Sequence, residues 1–310
     1  MKIKKPKFWD QNYHTLFSIF LFPLSLIYQV LIFLKKLGVS KKSFPVPIIC
    51  VGNIYLGGTG KTPISIKICK IFKELNRNPV IIKKDYTNQK DEVALVKKYN
   101  SIITSKNRVD AINEAIKKNF DLIVLDDGYQ DPSIEKNLSI ICFNSRQKIG
   151  NGYVLPAGPL RESLSSIQNS NIVLINGKKD YEFENQLKKH NPKLNFFYYE
   201  YQAESLVNFK NKKLVAFAGI GNPENFFDLL KSNHLNVVRE VSYPDHYSYS
   251  EKDFDYLEKL KNKYKAQLIT TEKDYLRISS FSRKKFGFIK VKVKIENQEN
   301  FKENILKFIK

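Results

Sequence analysis

Gly57-Gly58-Thr59-Gly60-Lys61-Thr62 follows directly on the apolar run Val46-Pro47-Ile48-Ile49-Cys50-Val51. Strand, glycine-rich turn, Lys-Thr and then helix is the order of elements in a phosphate-binding loop. Glycines let the backbone curl so that its N–H groups face an anion, and the following helix adds the positive end of its dipole. Lys61 is spaced to reach the β- and γ-phosphates, and Thr62 to offer its hydroxyl to Mg²⁺. Gly57, Gly58, Thr59, Gly60, Lys61 and Thr62 are therefore the expected ATP-binding set. The spacing departs from the usual pattern at one place, where Tyr55 stands in the position of the first glycine. An ordinary glycine-rich βα turn is the alternative reading of the loop taken alone.

A second carrier of chemistry is Asp121-Leu122-Ile123-Val124-Leu125-Asp126-Asp127-Gly128-Tyr129-Gln130. A buried strand ending in two carboxylates is how an acid is presented to Mg²⁺ beside bound phosphates, so Asp126 and Asp127 join Thr62 as candidate metal ligands. The Pro- and Gly-rich run from Gly150 closes on the charge pair Arg161-Glu162, and a structural loop fits it equally well. Ala218-Gly219-Ile220-Gly221-Asn222-Pro223 has two glycines of a dinucleotide fingerprint but Glu224 where the third would fall, so it reads as a tight βα turn. His246, in Pro244-Asp245-His246, follows an acid in a turn, a setting more often structural than catalytic. Thr270-Thr271-Glu272-Lys273-Asp274 ends a strand with alternating charges and lacks the spacing of a guanine-recognition motif.

The elements that must hold these groups are legible as apolar runs alternating with helical patterns. Strands are expected over 48–53, 80–83, 101–104, 121–125, 139–143 and 172–175, with helices over 63–75, 91–99 and 108–118. That alternation predicts a parallel sheet with crossover helices and a ligand edge at the strand carboxyl ends. Residues 178–213 turn polar and then aromatic and read as an inter-domain connection. A second βα series follows, with strands over 214–218, 237–241, 267–270 and 288–293 and helices over 223–232 and 250–264. The fold class expected is α/β: a P-loop NTPase-like, mostly parallel sheet with flanking helices, a second smaller α/β domain, and an N-terminal membrane-associated helix. The expected divisions are 1–43 for that helix, 44–195 for the P-loop domain, and 196–310 for a second α/β domain closing over the site.

Composition bounds what the chain can be. A length of 310 residues with 42% hydrophobic content suffices for one large or two ordinary domains. The net charge of +21 raises the question of nucleic acid, but only seven of the 52 basic residues are arginine, and the scattered lysines fit solvated faces, an anionic substrate or an anionic membrane surface. Cys50, Cys69 and Cys142 are far apart in apolar runs and fit reduced, buried thiols. No charged side chain occurs over 16–34, enough helix to span about 28 Å. Pro23 and Gln29 interrupt the run and lysines flank both ends, leaving open a helix lying in the leaflet, a true span, and a helix packed on the domain.

Six blocks together resemble the tetraacyldisaccharide 4′-kinase family, the lipid A 4′-kinases. They are Val51-Gly52-Asn53 with the Gly57-to-Pro63 loop, Asp126 to Gln130, Gly150-Asn151-Gly152 with Leu155 to Glu162, Ala218 to Pro223, Pro244-Asp245-His246, and Thr271 to Asp274. The resemblance implies transfer of the ATP γ-phosphoryl to the 4′-hydroxyl of a tetraacylated disaccharide 1-phosphate. It also implies a membrane-associated N-terminal helix. The expected partners are the lipid A disaccharide precursor and the cytoplasmic leaflet of the inner membrane, with no nucleic acid and a monomeric chain. The resemblance assigns the proton-accepting carboxylate to Asp91 of Asp91-Glu92, assisted by His246, and so moves His246 from a structural to a functional reading. Catalytic roles thus fall on Asp91, His246 and Lys61, and Gln130, Arg161, Glu162 and Tyr86 are further site candidates. Lys83-Lys84-Asp85-Tyr86 departs from the family's Ser-Arg-Gly-Tyr, and Asp131 replaces a common histidine. The rivals are a membrane-associated switch ATPase, which would carry an extra lysine where Tyr55-Leu56 stands, and a non-catalytic lipid-binding adaptor.

Overall fold

The computed structural model describes residues 5–85, 90–279, 283 and 285–309. The apolar runs become strands β1 (Ile48–Gly52), β2 (Pro79–Lys84), β3 (Ile102–Ser105), β4 (Leu122–Asp126), β5 (Leu138–Asn144) and β6 (Ile172–Asn176). β1, β4 and β5 are buried along their whole length, as continuous apolar runs in a sheet covered on both faces must be. The helices of this half are α2 (Lys61–Glu74), α3 (Lys90–Tyr99), α4 (Arg108–Lys117) and α5 (Tyr181–Lys188); an N-terminal helix, α1 (Leu16–Lys36), precedes them.

The remaining strands are β7 (Asn195–Glu204), β8 (Lys213–Ala218), β9 (Asn236–Ser242), β10 (Gln267–Thr271) and β11 (Gly287–Ile295), with helices α6 (Pro223–Ser232), α7 (Glu251–Tyr264), α8 (Glu272–Arg277) and α9 (Gln298–Leu306). All eleven strands form one sheet in the order β3-β2-β4-β1-β5-β6-β7-β11-β10-β8-β9. Every pairing is parallel except β7 with β11. The segment 178–213, expected as a connection, is therefore mostly ordered sheet and helix. It contains α5 and the seam strand, in which the successive aromatics Phe197, Tyr198 and Tyr199 are all buried.

The seam sets the geometry of everything else. Residues 195–199 of β7 pair with β6, while residues 199–204 pair antiparallel with 290–295 of β11, and β10 joins β11 farther along at 287–289. The second half-sheet is thus displaced along β7 and reversed, so its carboxyl edge points back at the carboxyl edge of the first. The chain then returns: Phe301 of α9 packs edge-on against Phe197 with centroids 5.1 Å apart. Ile305 and Ile309 enter the same core as Ile49, Val51 and Ile64.

α1 is long and apolar enough to cross a membrane. Its only buried side chains are Ser18 and Ser25, while Leu16, Phe17 and Phe20 are exposed. Ser25 Oγ donates to Val154 O at 2.8 Å and accepts from Ala157 N at 3.0 Å, and Trp9 Nε1 donates to Pro156 O at 3.1 Å. The N-terminal elements therefore rest on the loop that leads to Arg161-Glu162.

Candidate active site

The phosphate loop begins where β1 ends. Asn53 Nδ2 donates to Tyr55 O, to Gly57 O at 3.3 Å and to Thr59 Oγ1 at 2.9 Å, so one buried amide shapes the turn. Gly60 is the N-cap of α2 in left-handed conformation, φ 85°. A Cβ there would lie 2.1 Å from Tyr199 Oη and 2.7 Å from Tyr201 Oη. Because Gly60 is the cap, α2 starts at Lys61 rather than at 63. Lys61 and Thr62 thereby sit in the first turn, where N–H groups have no intrahelical acceptor. Tyr55, in place of the usual glycine, is fully buried and donates to Asp10 of the N-terminal segment.

The two acids after β4 take different partners. Asp126 is fully buried, and its Oδ2 accepts from Thr62 Oγ1 at 2.7 Å and from Lys83 Nζ at 2.8 Å. Its Oδ1 is buried with no hydrogen-bond partner among the described residues. Asp127 is left-handed at φ 61° and turns away, 3.7 Å from Lys61 Nζ and 2.8 Å from Arg161 Nη1. Burial would raise the Asp127 carboxyl, but Lys61 and Arg161 override this and hold it below its ordinary value. Gln130 Nε2 donates to Asn53 O at 2.7 Å and bolsters the loop from behind. Glu162 points to the other side of the Arg161 loop, pairing with Lys36 of α1 at 2.8 Å. Asp131 pairs with Arg108 at 3.0 Å. Tyr86 lies outside the described residues.

A second cluster forms where α3 of the first half meets the opposing carboxyl edge. Asp91, in the first turn of α3, accepts at Oδ2 from Arg277 Nε at 2.9 Å and Nη2 at 2.7 Å, and its Oδ1 lies 3.2 Å from His246 Nδ1. Lys273 Nζ stands 3.7 Å from Asp91 and 2.7 Å from Glu92. Burial alone would raise the Asp91 carboxyl, but the His246 hydrogen bond and the Lys273 and Arg277 charges hold it well below the usual carboxylate range. Glu92 is likewise depressed against its burial by Lys273 and Lys83. His246 is left-handed, φ 53°, its N–H bonded to Gly219 O at 3.1 Å. Arg277 Nη1 donates to the same carbonyl at 2.7 Å and to Asp274 Oδ1 at 2.8 Å.

Lys83 joins the clusters: its Nζ is 2.5 Å from Glu92 Oε2 and 2.8 Å from Asp126 Oδ2. The turn after β8 also meets the phosphate loop, for a Cβ on Gly221 would lie 2.5 Å from Gly58 N. The structure thus brings together Lys61, Thr62, Asp126, Asp127, Asp91 and His246 and leaves Glu162 to α1. Lys83, Lys273 and Arg277 went unassigned in the sequence reading. One signal pointed to Arg277: the chain has few arginines, and Arg77, Arg108, Arg146 and Arg161 each pair with a carboxylate, as Arg277 does.

A phosphate loop on a parallel sheet, a strand-end acid bonded to its threonine, and an acid–histidine pair across the gap define a P-loop phosphotransferase. The tetraacyldisaccharide-1-P 4′-kinase family matches residues 17–310, and the chain belongs to that family; it is a kinase of lipid A biosynthesis. The tetraacyldisaccharide 4′-kinase of Pelagibacter ubique is 40% identical, the match covering 99% of this chain and 98% of that one. That of Rickettsia bellii is 34% identical, with 99% of each covered. In fold, the chain is similar to LpxK from Aquifex aeolicus, solved in complex with ATP. The TM-score is 0.72 at 22% identity, over 94% of this chain and 99% of that one.

Proposed function

We propose that the chain transfers the γ-phosphoryl group of ATP to the 4′-hydroxyl of a tetraacyldisaccharide 1-phosphate, with ATP on the Gly57-to-Thr62 loop and the acceptor at Asp91 and His246. The observation that carries this assignment of roles is the continuous chain of contacts Thr62–Asp126–Lys83–Glu92, which brings a donor site and an acid–histidine pair to one gap. Lys61 and the first-turn N–H groups of α2 hold the phosphates. Asp91 fixes the imidazole of His246 through Nδ1 and stays anionic under its cations, so the pair orients the hydroxyl and accepts its proton late. A strong base is not required, because phosphoryl transfer runs through a loose transition state governed by positioning and charge neutralisation.

Thr62 and Asp126 suit a Mg²⁺ ion: a hydroxyl and a carboxylate share one point, and the orphaned Asp126 Oδ1 is the kind of hard oxygen such an ion takes. Bound there, Mg²⁺ would neutralise charge on the β- and γ-phosphates. The half from 196 onward closes over the loop through the Gly219–Asn222 turn. α1 lies at the cytoplasmic face of the inner membrane with its exposed apolar side chains in lipid, next to Lys35, Lys36, Lys41 and Lys42, so that the monomer meets an acceptor whose acyl chains stay in the bilayer.

The test is ATP-dependent transfer of radiolabelled phosphate to the disaccharide 1-phosphate in detergent, with the product identified by mass spectrometry. Lys61→Ala and Asp91→Ala should keep the fold and lose turnover. Folded wild-type protein that yields no 4′-phosphorylated product would refute the reading, and unchanged rates in either variant would refute that residue's role.

A further inference from the structure

Lys83 is the last residue but one of β2, and its side chain is only 3% exposed, an uncommon place for an ammonium group. Of the two oxygens of Asp126, Oδ2 is taken by both Lys83 and Thr62, while Oδ1 has no partner among the described residues. We propose that Lys83 is a built-in counter-cation of Asp126: it directs a divalent ion to Oδ1 and keeps the ion from binding until a nucleotide brings the negative charge of its phosphates.

The inference rests on the reading of Thr62 and Asp126 as cation ligands, and its physics is a count of charges within reach. Among the described residues Lys83 is the one cationic side chain bonded to Asp126, and it neutralises the single charge of that carboxylate. The neighbouring Asp127 is committed to Lys61 and Arg161. A bare divalent ion therefore meets a site with little net negative charge, next to an ammonium fixed in a medium that screens it poorly. Among the described residues no three His, Cys, Asp or Glu side chains are grouped as a resident metal would need. A triphosphate supplies both missing ingredients, oxygen ligands and negative charge, as is usual for Mg²⁺ held by one or two carboxylates and its substrate. Glu92 does not need Lys83 for its own neutralisation, because Lys273 also pairs with it at 2.7 Å. The ammonium serves Asp126 while also bonding Glu92, and because Lys273 stays beside Glu92 its removal leaves one carboxylate rather than two without a cation.

The experiment is binding of Mn²⁺ alone to nucleotide-free protein, read from the paramagnetic resonance signal of the free ion. Lys83→Gln removes the charge and keeps a hydrogen-bond donor for both carboxylates; Lys83→Met serves if that variant does not fold by circular dichroism. Wild-type protein should bind Mn²⁺ weakly, the variant at least about tenfold more tightly, and the gain should vanish when Asp126→Asn is added. Affinities within twofold of one another, or a gain that survives Asp126→Asn, would overturn the proposal. So would an Asp126-dependent site in the wild type that takes Mn²⁺ as tightly without nucleotide as with it, a measurement that needs no Lys83 variant. If Asp126→Asn alone leaves the Mg²⁺ dependence of ATP binding unchanged, the assignment of the metal ligands has failed, and that result is separate from the Lys83 comparison.

Discussion

Gly221→Ala tests whether the second half-sheet must touch the phosphate loop for turnover. The new Cβ would lie 2.5 Å from Gly58 N and 2.7 Å from Gly58 Cα, with Asp245 Oδ2 at 3.2 Å. Gly58 offers only backbone there, so no flexible side chain can yield, and the two segments must part. Overpacking of this kind costs about 1–3 kcal/mol. Placed wholly on the closed arrangement, that cost lowers kcat/KM for ATP by about 5- to 150-fold. The chain can relieve the strain by opening, so the melting temperature should fall by no more than a few degrees. Steady-state kinetics with varied ATP, beside thermal melts with and without nucleotide, separates the two effects. A folded Gly221→Ala enzyme with kcat/KM within twofold of the wild type would refute the closed arrangement as the active one.

Two further outcomes follow from the opposing cluster and from α1. Lys273→Met removes an ammonium that depresses Asp91 and Glu92. A carboxylate whose folded pKa lies below its unfolded value adds stability above the unfolded value and loses it as the pH falls toward the folded one. The variant should therefore unfold at higher pH on acid titration, and the acid limb of kcat/KM should move upward; coincident curves would remove Lys273 from the cluster's electrostatics. Phe20→Ala on the exposed face of α1, where Phe20 is 81% accessible, should weaken partitioning to anionic vesicles by about tenfold or more if the ring enters lipid. Equal flotation with vesicles would place that face outside the bilayer.

The parallel sheet was legible because its signal is local. β1, β4 and β6 are apolar runs whose neighbours in sequence announce their ends, and the phosphate loop is a contiguous spacing. The seam strand was not, because β7 is half exposed and its polar residues read as a connection when its partner β11 lies far along the chain. The same distance hid the site's cations. Asp91 and Arg277 meet across 186 positions, and nothing near Lys273 in sequence shows that α3 waits opposite. Lys83 escaped notice for another reason: it sits in a segment noted for departing from the family pattern, and only burial between two carboxylates gives it a meaning. α9 was missed because its short amphipathic pattern carries little signal until Phe197 supplies the surface it covers.

That last helix has a consequence for how the protein is made. Phe301, Ile305 and Ile309 belong to the core that also holds β1 and α2. The half bearing the phosphate loop therefore keeps an uncovered apolar face on the ribosome until residues 298–309 have been synthesised. Domains commonly fold as units in order of emergence, but here the earlier half waits for the later one. The seam that sets the two carboxyl edges face to face thus also makes the nucleotide site a late product of translation, with the exposed apolar α1 already outside the exit tunnel and able to reach lipid first.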